Sequence, residues 1–274
     1  MKADLHNHSY YSDGVLSPTE VIKLASQARC DLFSLTDHDT TDGIAEAQLE
    51  ADKLHLNLIN GVEISALWRN MAIHILGLGI DINNDVLQTG LVHNQKLRKE
   101  RAEKIALGLW RSGIKDALEK TQSFSKTDML TRTHFAQMLI SEGYCKDMKA
   151  VFRRYLTGKK PGGVSVEWEE FDEVVKWIHA AGGKALIAHP FRYRMTHTKI
   201  KTMLNDFKCV MGDGIEVVTG TSSDEEIQLG DQWAGKYNLL VTCGSDFHGW
   251  PNQRVRIGNL RDLPNPEKAV WKYL

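Results

Sequence analysis

His6 and His8 stand one residue apart at the end of a short apolar run, and Asp13 follows in the loop behind them. Alternate residues of a strand share a face, so both imidazoles point the same way. Comparable groups close later runs. LTDHD carries His38, GVE carries Glu63, AIH carries His74, IAH carries His189, and GSDFH carries Asp246 and His248. Gathered in one place, these are six imidazoles and three carboxylates with nothing beside them to neutralise the acids. Burying such carboxylates unpaired costs roughly several kcal/mol each, which bound divalent cations would relieve. Mixed imidazole and carboxylate donors without thiolate suit Mn²⁺, Zn²⁺ or Fe²⁺ better than Mg²⁺ alone.

The elements that must position these groups are legible nearby. Ser17-Pro18-Thr19-Glu20 has an N-cap serine, a proline at the first helical position and a glutamate three after the cap, so it reads as a capping box. The first two histidines therefore end a strand just ahead of a βα turn. Valine-, isoleucine- and leucine-rich runs predict strands over 3–6, 32–36, 56–64, 72–79, 185–189, 214–218 and 239–244. Amphipathic stretches predict helices over 18–29, 41–54, 171–181, 200–207 and 223–237. Such alternation argues for a parallel sheet or an α/β barrel, whose strand carboxyl ends form the functional face. Nearly every candidate strand end carries one of the nine residues.

The alternation breaks between about 85 and 166, where helical periodicity is rich in lysine and arginine and no strand is convincing. This stretch reads as a helical insertion that closes with the loop LTGKKPGGV, whose glycines suit a hinge or lid. Residues 96–160 hold 16 Lys and Arg against 7 Asp and Glu, whereas the remainder holds 18 against 28. A basic segment on an acidic body suggests an anionic ligand near the first and cations near the second.

Composition, at 42% hydrophobic and 25% charged, is that of an ordinary soluble chain. No apolar run reaches membrane-spanning length, and MKADLHNH lacks the core of a signal peptide, so a cytoplasmic location is expected without a membrane or an obligate protein partner. Cys30, Cys145, Cys209 and Cys243 are scattered, fit a reducing compartment, and are expected to be buried small apolar residues. His55, His93 and His179 are expected on surfaces or in packing, and His197 is set aside as a ligand.

Together DLHNHSYYSDG, LTDHDT, GVEIS, IHILG, IAHPFRY and GSDFHG resemble the PHP (polymerase and histidinol phosphatase) family of metal-dependent phosphoesterases, over nearly the whole chain outside the insertion. The resemblance implies a distorted (β/α)7 barrel, with 1–95 and 165–274 forming the phosphoesterase barrel and 96–164 a basic helical insertion over the substrate. It implies two to three divalent ions, Mn²⁺ ahead of Zn²⁺ or Fe²⁺. His6, His8, Glu63 and Asp246 would hold one ion. Glu63 would bridge to a second ion on His74 and His189, and Asp13, His38 and His248 would hold a third. TRTHFA, followed by a Gly-Lys-Pro loop, is similar to the TrpH/RNase AM branch, and this implies that Arg132 and His134 contact substrate phosphate. Arg192 is a further candidate for phosphate.

That branch comprises 3′,5′-nucleotide bisphosphate phosphatases and 5′→3′ exoribonucleases, so the expected substrate is a nucleotide bisphosphate or 5′-phosphorylated RNA. Glu63, Asp246, His248, Arg132 and His134 are the expected catalytic set, and the expected chemistry is direct attack on phosphorus by water that divalent ions would activate. Neither a nucleophile elbow nor an aspartyl phosphatase signature suggests a covalent intermediate. The competing readings are a small-metabolite phosphatase of the histidinol phosphate type, an amidohydrolase acting on C–N bonds, and a catalytically silent RNA-binding module. The basic insertion favours the nucleotide readings over a single-phosphate metabolite.

Overall fold

The computed structural model describes residues 1–250 and 254–274. Its strands, β1 (Ala3–Asp4), β2 (Leu32–Leu35), β3 (Asn57–Trp68), β4 (Met71–Leu78), β5 (Lys184–Ile187), β6 (Gly214–Thr219) and β7 (Leu240–Gly244), lie side by side in chain order. Past Asp4 the backbone turns to the segment after β7. Leu5 donates to Cys243 O (2.9 Å), Asp246 to His6 O (2.8 Å) and His8 to Phe247 O (2.9 Å), which brings the first and last strands together as a nearly closed barrel. This switch of partner is why β1 is shorter than the predicted 3–6.

One strand departs from the expected parallel order. β4 pairs antiparallel with both β3 and β5, while the remaining neighbours are parallel. β3 continues four residues beyond the predicted end at 64, and Arg69 and Asn70, at φ 47° and 61°, turn the chain straight back. Two positive φ values are what a tight two-residue hairpin with the right twist demands. His74, early in β4, consequently lies opposite Ser65 and on the same lip as the carboxyl ends of the parallel strands.

The expected helices are present as α1 (Pro18–Gln27), α2 (Ile44–Leu54), α7 (Phe171–Ala180), α8 (His197–Cys209) and α9 (Asp224–Tyr237), and between α2 and α7 come α3 (Asp85–Arg111), α4 (Ala117–Gln122), α5 (Arg132–Ser141) and α6 (Met148–Val151). The predicted capping box at Ser17 and Glu20 forms. The barrel core is aliphatic, with Leu5, Ile64, Ile75, Leu186, Ile215 and Val241 fully buried. Trp177 of α7 packs so tightly on α3 that a Cβ at Gly90 would lie 2.4 Å from its ring. A second apolar cluster, built on Ile105, Leu109, Phe135, Leu139 and Leu156, belongs to the insertion alone. Between the two clusters α3 runs unbroken, through the expected boundary at 95/96.

A buried polar knot ties α3 to the barrel. Arg98 Nε donates to Asp39 Oδ2 (2.6 Å) and its Nη2 to Ser65 Oγ (2.8 Å), while Asn94 donates to Asp39 Oδ1 (2.8 Å). The Asp39 carboxyl sinks below its usual range despite burial, because Arg98, Asn94 and the Ser65 amide oppose desolvation. Deleting one member of such a pair leaves the other charged and unpaired. Arg98→Ala is expected to cost about 3 kcal/mol in urea denaturation; a cost below about 0.5 kcal/mol would mean that Asn94 and Ser65 alone satisfy Asp39.

Candidate metal centre and its cavity

All nine sequence-predicted ligands meet at one lip of the barrel. His6 and His8 follow β1, Asp13 sits in the next turn, His38 follows β2, Glu63 is on β3 and His74 on β4. His189 follows β5, and Asp246 and His248 follow β7. Asp39, His189 and Asp246 hold φ at 52°, 29° and 54°. Non-glycine residues in that region cost of order 1–3 kcal/mol each and persist where surrounding bonds over-determine them.

Glu63 is the hub. Its Oε2 lies 3.3 Å from both His6 Nε2 and His8 Nε2 and 2.9 Å from His38 Nδ1. Its Oε1 lies 2.9 Å from His74 Nδ1 and 2.9 Å from His189 Nε2. Asp246 Oδ1 stands 3.4 Å from His6 Nε2 and 3.1 Å from His8 Nε2, and Asp13 Oδ1 is 3.2 Å from His248 Nε2. Three groups of donors converge: His6, His8, Glu63 and Asp246; His8, Asp13, His38 and His248; and His38, Glu63 and His74. The first matches the expected first site. In the other two His8 also stands with the Asp13 group and His38 with Glu63 and His74, while His189 Nε2 lies 2.9 Å from the same Glu63 oxygen as His74 Nδ1.

Buried polar atoms are ordinarily hydrogen-bonded. Here His6 Nε2, His8 Nε2, Asp13 Oδ1, His38 Nδ1 and Glu63 Oε2 are buried without a hydrogen-bond partner among the described residues, and all five belong to the convergent groups. A set of orphaned nitrogen and carboxylate donors, close together and free of thiolate, fits divalent cations. Electrostatics agrees. Burial would raise the Glu63, Asp13 and Asp246 carboxyls, yet the surrounding histidines, joined at Asp246 by Arg192, hold all three well below their usual range. Burial would lower His8, but the Asp246 and Glu63 carboxylates beside its Nε2 carry it up to about 10. His38, where burial prevails, falls to about 4.

Behind the ligands stand residues that sequence reasoning passed over. Asp37 accepts from Ser9 N–H, Ser9 Oγ and Ser12 Oγ at 2.8, 2.6 and 2.6 Å, fixing the turn that carries His8 and Asp13. Glu216, fully buried on β6, touches both His6 and the His189 backbone. Its signal was present as a lone carboxylate inside the apolar run GIEVV. Thr133 Oγ1 donates to Asp13 Oδ2 (2.9 Å), so the insertion reaches the cluster directly.

The cluster floors a cavity of ≈ 1170 Å³ whose other wall is the insertion, through Arg98, Arg101, Arg132 and the strap 156–159 and 163–166. Arg132 lies over the Phe152 ring at 5.8 Å. Arg101, absent from the sequence-based candidates, lines the same wall with its Nε buried and unpartnered. Burial, then repulsion by Arg132 and Arg98, pushes its guanidinium well below its usual range. Arg192 lines the cavity too, paired with Asp246.

His134 is placed otherwise than expected. It is outside the cavity lining and 3% exposed, and its Nδ1 accepts the Thr131 N–H (3.1 Å) in a capping box that starts α5 at Arg132. Thr131 caps the helix and His134 completes the cap, so its place is behind Arg132. The set-aside histidines are structural: His179 pairs with Asp213 (2.7 Å) and His197 sits edge-on to Trp233. Of the cysteines only Cys30 and Cys243 are buried as expected; Cys145 is half-buried, and Cys209, the last residue of α8, is exposed.

Comparison with known proteins supports this reading of the fold. The PHP domain family matches residues 4–187. A 3′,5′-nucleoside bisphosphate phosphatase of Chromobacterium violaceum is 41% identical over 273 residues, covering 99% of this chain and 95% of its own. The 5′-3′ exoribonuclease Rnm of Escherichia coli is 37% identical over 271 residues, 98% of this chain and 92% of its own. The solved structure of an amidohydrolase from C. violaceum, with bound sulfate and no metal, superposes with a TM-score of 0.94 at 41% identity, over 100% of this chain and 95% of that one. Among the described residues no helix is long and apolar enough to cross a membrane.

Proposed function

The chain belongs to the PHP domain family, and from that premise we propose that it hydrolyses the 3′-phosphate of nucleotide 3′,5′-bisphosphates and trims RNA from a 5′-phosphorylated end. The observation that carries the reading is a cavity with two unlike walls: orphaned metal-type donors on one side, and on the other an arginine group whose buried Arg101 Nε has no hydrogen-bond partner among the described residues. A substrate bearing two phosphate positions answers both walls. A metabolite with one phosphate leaves the second wall unused.

His6, His8, Glu63 and Asp246, with His38, His74 and His189 around Glu63 and with Asp13 and His248 beyond, would hold two to three ions, for which Mn²⁺ is our assignment. Divalent ions there supply Lewis acidity toward phosphoryl oxygens and acidify water for attack. Arg132 and Arg101 hold the phosphate that does not react, using the paired N–H geometry that lysine lacks. His134 and Thr131 fix the start of α5, and so the place of Arg132. Arg192 lends charge beside Asp246. Residues 96–164 form the roof that selects the ligand. Sulfate bound by the C. violaceum relative supports an anion site in this fold.

The size of the cavity favours the RNA reading beside the bisphosphate one. At ≈ 1170 Å³ it exceeds the roughly 300–1,000 Å³ of ordinary small-molecule sites. A test in Mn²⁺ offers adenosine 3′,5′-bisphosphate, a 3′-labelled oligoribonucleotide with 5′-phosphate, and histidinol phosphate in parallel. The expected result is phosphate release from the first and a ladder shortening from the 5′ side of the second, slowed when the 5′-phosphate is removed. Hydrolysis of histidinol phosphate alone, or internal cuts indifferent to the 5′-phosphate, would reject the proposal.

A further inference from the structure

We infer that Glu216 is a positioning residue that sets the tautomer of His6 and thereby the affinity of the first ion, an inference that rests on the metal-centre reading above. Glu216 Oε1 lies 3.0 Å from His6 Nδ1, and Glu216 Oε2 accepts the backbone N–H of His189 at 2.7 Å. Both Glu216 and His6 are fully buried, so no water competes for these bonds. A carboxylate accepts, so Glu216 holds a ring proton on His6 Nδ1 and leaves Nε2, which faces Glu63 and Asp246, as the nitrogen that would give up its proton to an ion. That Nε2 is one of the orphaned atoms. The second bond holds the backbone of His189 at φ 29°, a conformation that needs outside support. One buried carboxylate thus orients residues of two different strands of the cluster.

The strand β7 packs closely against His6 and Glu216. A Cβ on Gly244 would come 2.2 Å from His6 Cβ and 2.9 Å from Glu216 Oε1, so β7 presses its bare backbone against the pair. The contrast with other ligands is informative. His8 Nδ1 reaches only a hydroxyl, Ser12 Oγ at 3.4 Å, and His248 Nδ1 meets the Asp246 carbonyl at 3.0 Å. A carboxylate behind a ligating imidazole both fixes its orientation and raises its basicity.

Glu216→Gln is the discriminating change, because the amide has one accepting and one donating end. The His189 N–H is a fixed donor and claims the accepting oxygen. The NH₂ group then faces His6 Nδ1 and drives the proton to Nε2, the ligating nitrogen. In competitive chelator titrations with Mn²⁺, the variant is expected to lose 10–100-fold in affinity for its tightest ion. Its kcat should fall at limiting Mn²⁺ and recover at excess Mn²⁺, with KM for the nucleotide unchanged; a merely structural role would not give metal rescue. Affinity within twofold of wild type would overturn the inference. A wild-type protein that binds no divalent ion would instead overturn the metal-centre reading. Should the variant fail to fold, ¹⁵N NMR of wild type reconstituted with diamagnetic Zn²⁺ decides: His6 bound through Nε2 with its proton on Nδ1 supports the assignment, and binding through Nδ1 overturns it.

Discussion

Glu63→Gln is expected to abolish hydrolysis, by roughly 10³-fold or more, and to strip at least one divalent ion per chain. Changes behind a metal ligand typically cost 10–100-fold, and this change is at the hub itself. Five imidazoles surround the Glu63 carboxylate within 3.3 Å. Glutamine keeps the shape but removes the charge and turns an N–H₂ group on at least two of those rings. Two of the three donor groups share Glu63, so both weaken together. Elemental analysis after reconstitution, beside phosphate release, checks the expectation. Metal content above 80% of wild type with activity within tenfold would show that the ions do not depend on this bridge.

The second large effect has opposite signs in two assays. Arg101→Met is expected to reduce kcat/KM on a 5′-phosphorylated substrate by roughly 10²-fold, the scale of a lost charge-assisted contact to phosphate. On a substrate without that phosphate the loss should be small. The same change should stabilise the ligand-free protein by about 1 kcal/mol, because a guanidinium with a buried, unpartnered Nε beside Arg98 and Arg132 is replaced by an apolar chain. Urea titration and steady-state kinetics on one preparation test both halves. An Arg101 variant that loses stability and keeps its phosphate preference would move this side chain from the ligand to the fold. Arg132→Lys should lose tenfold or more through the missing second N–H.

The nine candidate donors were legible in the sequence because they end strands, and strand ends are marked by where apolar runs stop. His6, His38, Glu63, His189 and Asp246 were found for that reason. The direction of β4 was not readable, since Arg69-Asn70 lacks the glycine that usually announces a tight hairpin. Nor was the division of donors among ions, because His38 and His8 sit where two groups meet and only distances separate them. Arg101 was hidden differently. On a long basic helix every third or fourth residue shares a face, and the pattern does not say which face meets a cavity. His134 looked like a phosphate contact because its short motif serves capping as well as binding.

α3 is a single rod of 27 residues, about 40 Å long at 1.5 Å per residue. Its first half is knotted to the barrel at Asn94 and Arg98, and its second half, with Ile105 and Leu109, is the spine of the insertion core. Anyone transplanting the roof to change specificity therefore has no seam at 95/96. A cut there would sever a helix, and a shortened or lengthened linker would rotate everything beyond it by 100° per residue. The workable graft carries the whole rod together with its sockets at Asp39 and Ser65, exchanging floor fittings along with the ceiling.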